Sequence, residues 1–135
     1  LQQVIERVRF REGAETGPVR AEWTALRGAA HSALAHRGSR LALYDLKESL
    51  ESAREPLPVE FLGAAATIGD ASCLESVAAA FARALEQGVR VDDWWRQRLT
   101  DVFRTIAARE QVTRRTAAGK KLSARYREAA AVLWP

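Results

Sequence analysis

The chain has 135 residues, 47% of them hydrophobic and 28% charged, with a formal net charge of +4: the balance of one globular domain with a single core, too short for a multi-domain enzyme. No apolar run approaches the roughly 20 residues that span a bilayer, and no signal-peptide pattern opens the chain. The charge is unevenly divided, since residues 42–95 hold ten acids against four bases, a net of −6, and residues 96–127 hold ten bases against two acids, a net of +8.

β signals are sparse: no Asn-Gly or Asp-Gly turn occurs, and alternation is confined to Val8-Arg9-Phe10. Residues 1–11 are expected to form a helix with Leu1, Val4, Ile5 and Val8 on one side. Trp23, Leu26, Ala30 and Leu34 fall at i, i+3, i+7 and i+11, the stripe of a helix over 19–37 that Pro18 starts and Gly38 ends. Ser39 is then expected to N-cap a second helix, with Leu43, Leu46, Leu50 and Ala53 on one face. Glu55-Pro56-Leu57-Pro58 breaks it, and a third helix carries Phe61, Ala65 and Ile68 up to Gly69. Asp70 or Ser72 can cap the fourth, whose stripe is Leu74, Val77, Phe81 and Leu85 and whose end is Gly88. A fifth starts at Asp92 or Asp93 along Trp95, Leu99, Val102 and Ile106. After a turn at 111–113 the sixth is expected to run from about 114 to 131, interrupted only by Gly119.

Superimposing Gly38 on Gly69, an offset of 31 residues, also brings together Ser39 and Asp70, Leu43 and Leu74, Leu46 and Val77, Leu50 and Phe81, and Ala53 and Ala84. Self-similarity at this period marks helical hairpins that bury their apolar stripes by stacking. The stretch AAATIGDASCLESVAAAFA, residues 64–82, resembles the HEAT-type helical repeats, in particular the bacterial HEAT-like group that includes phycobilisome-lyase relatives. In that family a Gly-Asp turn ends one helix and its carboxylate caps the next, so the resemblance implies a capping role for Asp70. The likeness covers residues 19–87. It departs from the family at Ser39, where Asp is favoured, and at Ser76, where Arg is often found. The expected fold is all-α, a short right-handed α-solenoid of about three antiparallel hairpins (19–54, 57–87 and 91–131), HEAT-like or alternatively armadillo-like, forming a single domain over 1–135. Because the chain opens at Leu1 without methionine, it is expected to be a fragment of a longer protein.

No constellation of catalytic type emerges. His31 and His36 are five residues apart, on different sides of a helix, unlike the i, i+4 pairs that hold a metal. Gly63, Gly69 and Gly88 are isolated and form no phosphate loop, and Ser72, Ser76 and Ser123 lack a paired base. The single cysteine, Cys73, has apolar Leu74 and Val77 beside it; it reads as a core thiol in a reducing, cytoplasmic setting. No cofactor, metal or catalytic residue is therefore expected. Trp94 and Trp95 adjoin, and only Trp95 is in phase with the stripe, which leaves Trp94 at the rim or on the surface. In the basic run REQVTRRTAAGKKLSARYR, residues 109–127, a continuous helix would align Arg114, Lys121 and Arg125 in one positive stripe and place Lys120 and Arg127 on another side.

These features predict a non-catalytic scaffold that presents helix surfaces to another protein, with Lys47, Glu48, Glu51, Glu75, Arg83, Trp94, Arg114, Lys121 and Arg125 as contacts and Ser39, Gly69 and Asp70 as turn and capping residues. The alternative is a nucleic-acid module using the basic C-terminal helices. A lyase-type enzyme, which the family resemblance brings into view, ranks behind both.

Overall fold

The computed structural model describes residues 2–88 and 93–135. Among them are eight α-helices and no strand: α1 (Gln2–Ala14), α2 (Gly17–His36), α3 (Leu43–Ser52), α4 (Val59–Ile68), α5 (Cys73–Gln87), α6 (Asp93–Arg109), α7 (Ala117–Arg125) and α8 (Arg127–Leu133). Helix α1 packs on α2, α2 on α4 and α4 on α6, while α3 packs on α5 and α5 on both α6 and α8. The main core runs continuously from Leu46 and Leu50 through Phe61, Leu74, Val77 and Phe81 to Trp95, Leu99, Phe103, Ile106 and Trp134. Each such side chain removed from water contributes roughly 1.5–3 kcal/mol before the entropy of ordering it is counted. A smaller cluster of Ile5, Ala30, Leu34 and Ala42 lies apart from this core.

Burial recurs at the 31-residue offset. Leu46 and Val77, and Leu50 and Phe81, are buried pairwise on α3 and α5, as are Ala42 just before α3 and Cys73 at the start of α5, and so are Ala30 and Phe61, His31 and Leu62, and Leu34 and Ala65 on α2 and α4. The glycine shared by the two turns is used differently in each. Gly38, in the left-handed region at φ 67°, closes α2 through Gly38 N to Ala35 O and Ser39 N to Leu34 O, both 2.9 Å, a Schellman ending. Gly69 has ordinary angles (φ −63°, ψ 147°). A Cβ there would stand 2.3 Å from Ala65 O and 3.0 Å from Ile106 Cδ1, so this glycine permits the close approach of α6 to the end of α4.

Several sequence expectations are corrected. The buried face of α2 is not the one centred on Trp23 and Leu26: Trp23 is half-buried and Leu26 is 48% exposed, while Arg27 and His31 face inward. Apolar periodicity misses this face because its arginine is neutralised by residues of other helices. On α1, Ile5, Val8 and Glu12 are buried and Val4 is exposed. Ser39 is not the N-cap of α3, which begins four residues later behind Ala42; its Oγ instead accepts from Leu41 N at 3.4 Å in the intervening turn. The expected helix over 114–131 is two helices divided at Tyr126 (φ −122°, ψ 60°), and Arg114 precedes the first of them. Thr116 caps α7, its hydroxyl accepting from Gly119 N at 3.2 Å. Gly119 lies against the Thr113 carbonyl where no Cβ would fit. Of the two starts expected for α6, Asp93 is its first residue and Asp92 lies outside the described residues, as does Leu1.

Candidate interaction surface

Five of the nine expected contact residues come together. Lys47 and Glu51 from α3, Glu75 from α5, and Lys121 and Arg125 from α7 line one cleft of about 220 Å³, with Leu74, Val112 and Leu122 also in its lining. The first two come from α3 and the third from the first turn of α5. Arg125 pairs with Glu75 across the cleft, fifty residues away in sequence. Glu51 accepts from Ser76 Oγ at 2.7 Å. Neither Lys47 nor Lys121 has an ion pair within 4.0 Å among the described residues. The cleft thus offers both signs of charge around an apolar floor.

At one end of it Asp70 organises the turn into α5. Its Oδ1 accepts from Ser72 Oγ at 2.5 Å and Ser72 N at 2.9 Å, and its Oδ2 from Arg40 at 3.1 Å. The Ser72 hydroxyl, foremost, holds the Asp70 carboxyl below its ordinary value. Asp70 thus braces the lead-in turn from Ala71 to Ser72, while Ser72 occupies the N-cap position of α5 without a side-chain bond.

The other four expected contacts are committed elsewhere. Glu48 pairs with Arg9 of α1 at 3.1 Å. Arg83 donates to the carbonyls of Ala53 (2.5 Å) and Glu51, which close α3. Arg114 donates to Ala130, Ala131 and Trp134 at 3.3 to 3.4 Å, closing α8, so the stripe expected from Arg114, Lys121 and Arg125 does not form. Trp94 is partly exposed on α6, edge-to-face with buried Trp95 at 5.9 Å, away from the cleft lining. Arg83 and Arg114 follow a common rule, because the last carbonyls of a helix lack intrahelical donors and attract cations. Arg109 closes α4 through Ala66 O (2.6 Å) and Gly69 O, and Arg104 reaches Leu133 O at 3.0 Å and Val132 O at 3.3 Å. Arg96 likewise reaches the Gly88 carbonyl at the end of α5 at 3.3 Å, so four of the ten bases that make residues 96–127 so positive donate to helix ends.

The most elaborate polar arrangement went unseen in sequence. Arg27, 4% exposed, donates through Nε and Nη2 to Glu12 at 2.7 and 3.0 Å and through Nη1 to Asp45 at 3.0 Å and to Ser49. His31, 1% exposed, donates from Nε2 to Asp45 Oδ2 at 2.7 Å, and Arg9 reaches Asp45 Oδ1 at 2.5 Å. The ring of Phe61 supports both groups, 5.0 Å from the Arg27 guanidinium and 5.3 Å from the His31 ring. Burial opposes charge on Arg27, but Glu12 and Asp45 outweigh it and raise its pKa above the ordinary value. Burial likewise pushes the Asp45 carboxyl up, and the His31 hydrogen bond with the Arg27 charge overcomes it, bringing the pKa down to about 2. This clasp ties α1, α2 and α3 together. The only signal in sequence was the i, i+4 spacing of Arg27 and His31 beside Leu34.

The buried cysteine, Cys73, starts α5 at 1% exposure, and burial pushes its thiol up. Among the described residues no cluster of three or more His, Cys, Asp or Glu could hold a metal ion, and no helix is long and apolar enough to cross a membrane. Compared with protein-family models, with curated proteins and with solved structures, the chain matches none.

Proposed function

We propose that this protein is a non-catalytic scaffold, a short right-handed HEAT-like stack of helical hairpins that binds another protein through the surface of α3, α5 and α7. The repeated burial at a 31-residue offset and the side-by-side packing of α2, α4 and α6 support the repeat reading. The observation that carries the binding reading is the mixed cleft. Lys47 and Lys121 flank Glu51 and Glu75 over an apolar floor, and such an alternation of sign selects a polypeptide of complementary pattern.

A nucleic-acid backbone is a poorer fit, because the cleft sets the Glu51 and Glu75 carboxylates among its cations and one of those cations, Arg125, is already paired with Glu75. The test compares the wild type with Lys47→Glu/Lys121→Glu as immobilised baits in extract from the native cell, alongside fluorescence anisotropy with labelled DNA and RNA. The expected result is a protein retained by wild type and lost with the variant, with no nucleic-acid binding below micromolar at physiological salt. Tight nucleic-acid binding that the variant abolishes would replace this reading with the nucleic-acid one.

A further inference from the structure

A second cleft, about 620 Å³ in volume, lies between the C-terminal end of α6, the turn at 112–115 and Trp134. That volume is within the usual range of small-molecule sites. Ala107, Val112 and Trp134 give it apolar walls, and Arg104, Arg114 and Arg115 give it charge, while no side-chain carboxylate lines it. It shares only Val112 with the α3–α5–α7 surface.

The donors here are only partly used. Arg104 is held to α8 by Nε and Nη2, and Arg114 by Nη2 alone. Their remaining N–H groups and the whole Arg115 guanidinium have no acceptor among the described residues. The anchoring carbonyls fix two of the guanidinium groups in place yet supply no full negative charge. Trp134 adds a second, independent observation. It is 7% exposed, and its Nε1 is the one buried side-chain nitrogen or oxygen among the described residues that lacks a hydrogen-bond partner. An indole N–H is a donor only, and Trp134 is one of the residues that line the cleft.

We propose that this cleft binds a small organic anion, an apolar body bearing one carboxylate. The carboxylate lies on Arg115 and the unused edge of Arg114, where charge-assisted hydrogen bonds are strongest. The apolar body lies along Val112 and Trp134. Inorganic phosphate would leave those apolar walls uncovered, and a neutral amphiphile would leave the guanidinium groups without a counter-charge.

The test is calorimetric titration of the whole chain with decanoate, with decanol as its neutral counterpart, on wild type and Arg115→Gln. Arg115 is chosen because its side chain holds no helix end, so its replacement leaves the fold intact. In parallel, nitrogen–proton spectra follow the Trp134 indole, assigned through Trp134→Phe. Decanoate is expected to bind roughly tenfold or more tightly than decanol, and Arg115→Gln to weaken decanoate by about tenfold while leaving decanol unchanged, the size of one charge-assisted contact. The indole resonance of Trp134 should move on saturation. Equal binding of decanol and decanoate, or unchanged decanoate binding in Arg115→Gln, would overturn the proposal. So would the capture of an acidic peptide such as Glu-Leu-Glu-Phe in place of decanoate, which would make this cleft part of a protein interface.

Discussion

Asp45 is pulled in opposite directions by burial and by pairing, and pairing prevails. Its carboxyl has a pKa of about 2 in the folded chain against an ordinary 3.8, so the folded state favours the ionised form. The stability this contributes is fully present above about pH 4 and is lost as pH falls through about 2, on the order of 2 kcal/mol. The urea midpoint should therefore fall between pH 5 and pH 2.5 in the wild type, and that fall should be smaller in Asp45→Asn. Equal slopes in the two proteins would show that the clasp does not govern acid stability. Arg27 is the other half of the balance. Arg27→Met leaves Glu12 buried without its cation and takes from Asp45 one of its two arginines, and is expected to cost about 3–5 kcal/mol, whereas Arg27→Met/Glu12→Leu should recover part of that loss in a thermal melt. If the double variant melts no higher than the single one, the loss is one of packing rather than of uncompensated charge.

At the scale of the helices, the apolar stripes were legible and the ends were not. Phe61, Ala65 and Ile68, then Leu74, Val77 and Phe81, and then Trp95, Leu99, Val102 and Ile106 are buried as their spacing requires, because a side chain that must leave water declares its face by period alone. The face of α2 was misread because Arg27 is apolar in neither composition nor charge. Its burial depends on Glu12 and Asp45, fifteen and eighteen residues away, and no local pattern contains that information. Helix ends are harder still, since Arg109 closes α4 from forty-three residues downstream. The end of α6 offers a direct check. It closes with Val112 N on Ala107 O at 2.9 Å, around Gln111 in the left-handed region at φ 56°, where a side chain costs about 1 kcal/mol. Gln111→Gly should accordingly raise the melting temperature by a few degrees. A lower melting temperature would mean that the Gln111 side chain contributes more to the turn than its backbone angle costs.

For the whole molecule, the division between an acidic middle and a basic end looked like a signal to a partner, and a good part of it is internal. Arg104, Arg109 and Arg114 close helices, and Arg125 meets Glu75, so counting charges along the chain overstates what is free to bind. The candidate surface was legible in part. Of the residues expected as contacts, Lys47, Glu51, Glu75, Lys121 and Arg125 are gathered by the fold into one cleft. Arg83, Glu48 and Arg114, expected as contacts too, hold intramolecular partners instead, which only tertiary packing could reveal. The 620 Å³ cleft was hidden for a related reason: it depends on where the chain turns at 112–115 and on the placement of Trp134 beside α6.

The single thiol of Cys73 gives this chain a clock of its own. It lies in the core at the start of α5 at 1% exposure, with its proton held by burial, and its chain neighbours Ser72 and Leu74 line the mixed cleft. A disulfide reagent such as dithionitrobenzoate can reach it only when the start of α5 opens, so labelling of the native protein should be slow, single-phased and accelerated by subdenaturing urea. Prompt labelling in native buffer would show that the start of α5 opens independently of the rest. With the slow rate established, an occupant of the cleft that bears on Ser72 and Leu74 will lengthen the labelling time in proportion to its occupancy, without a fluorophore or an engineered residue.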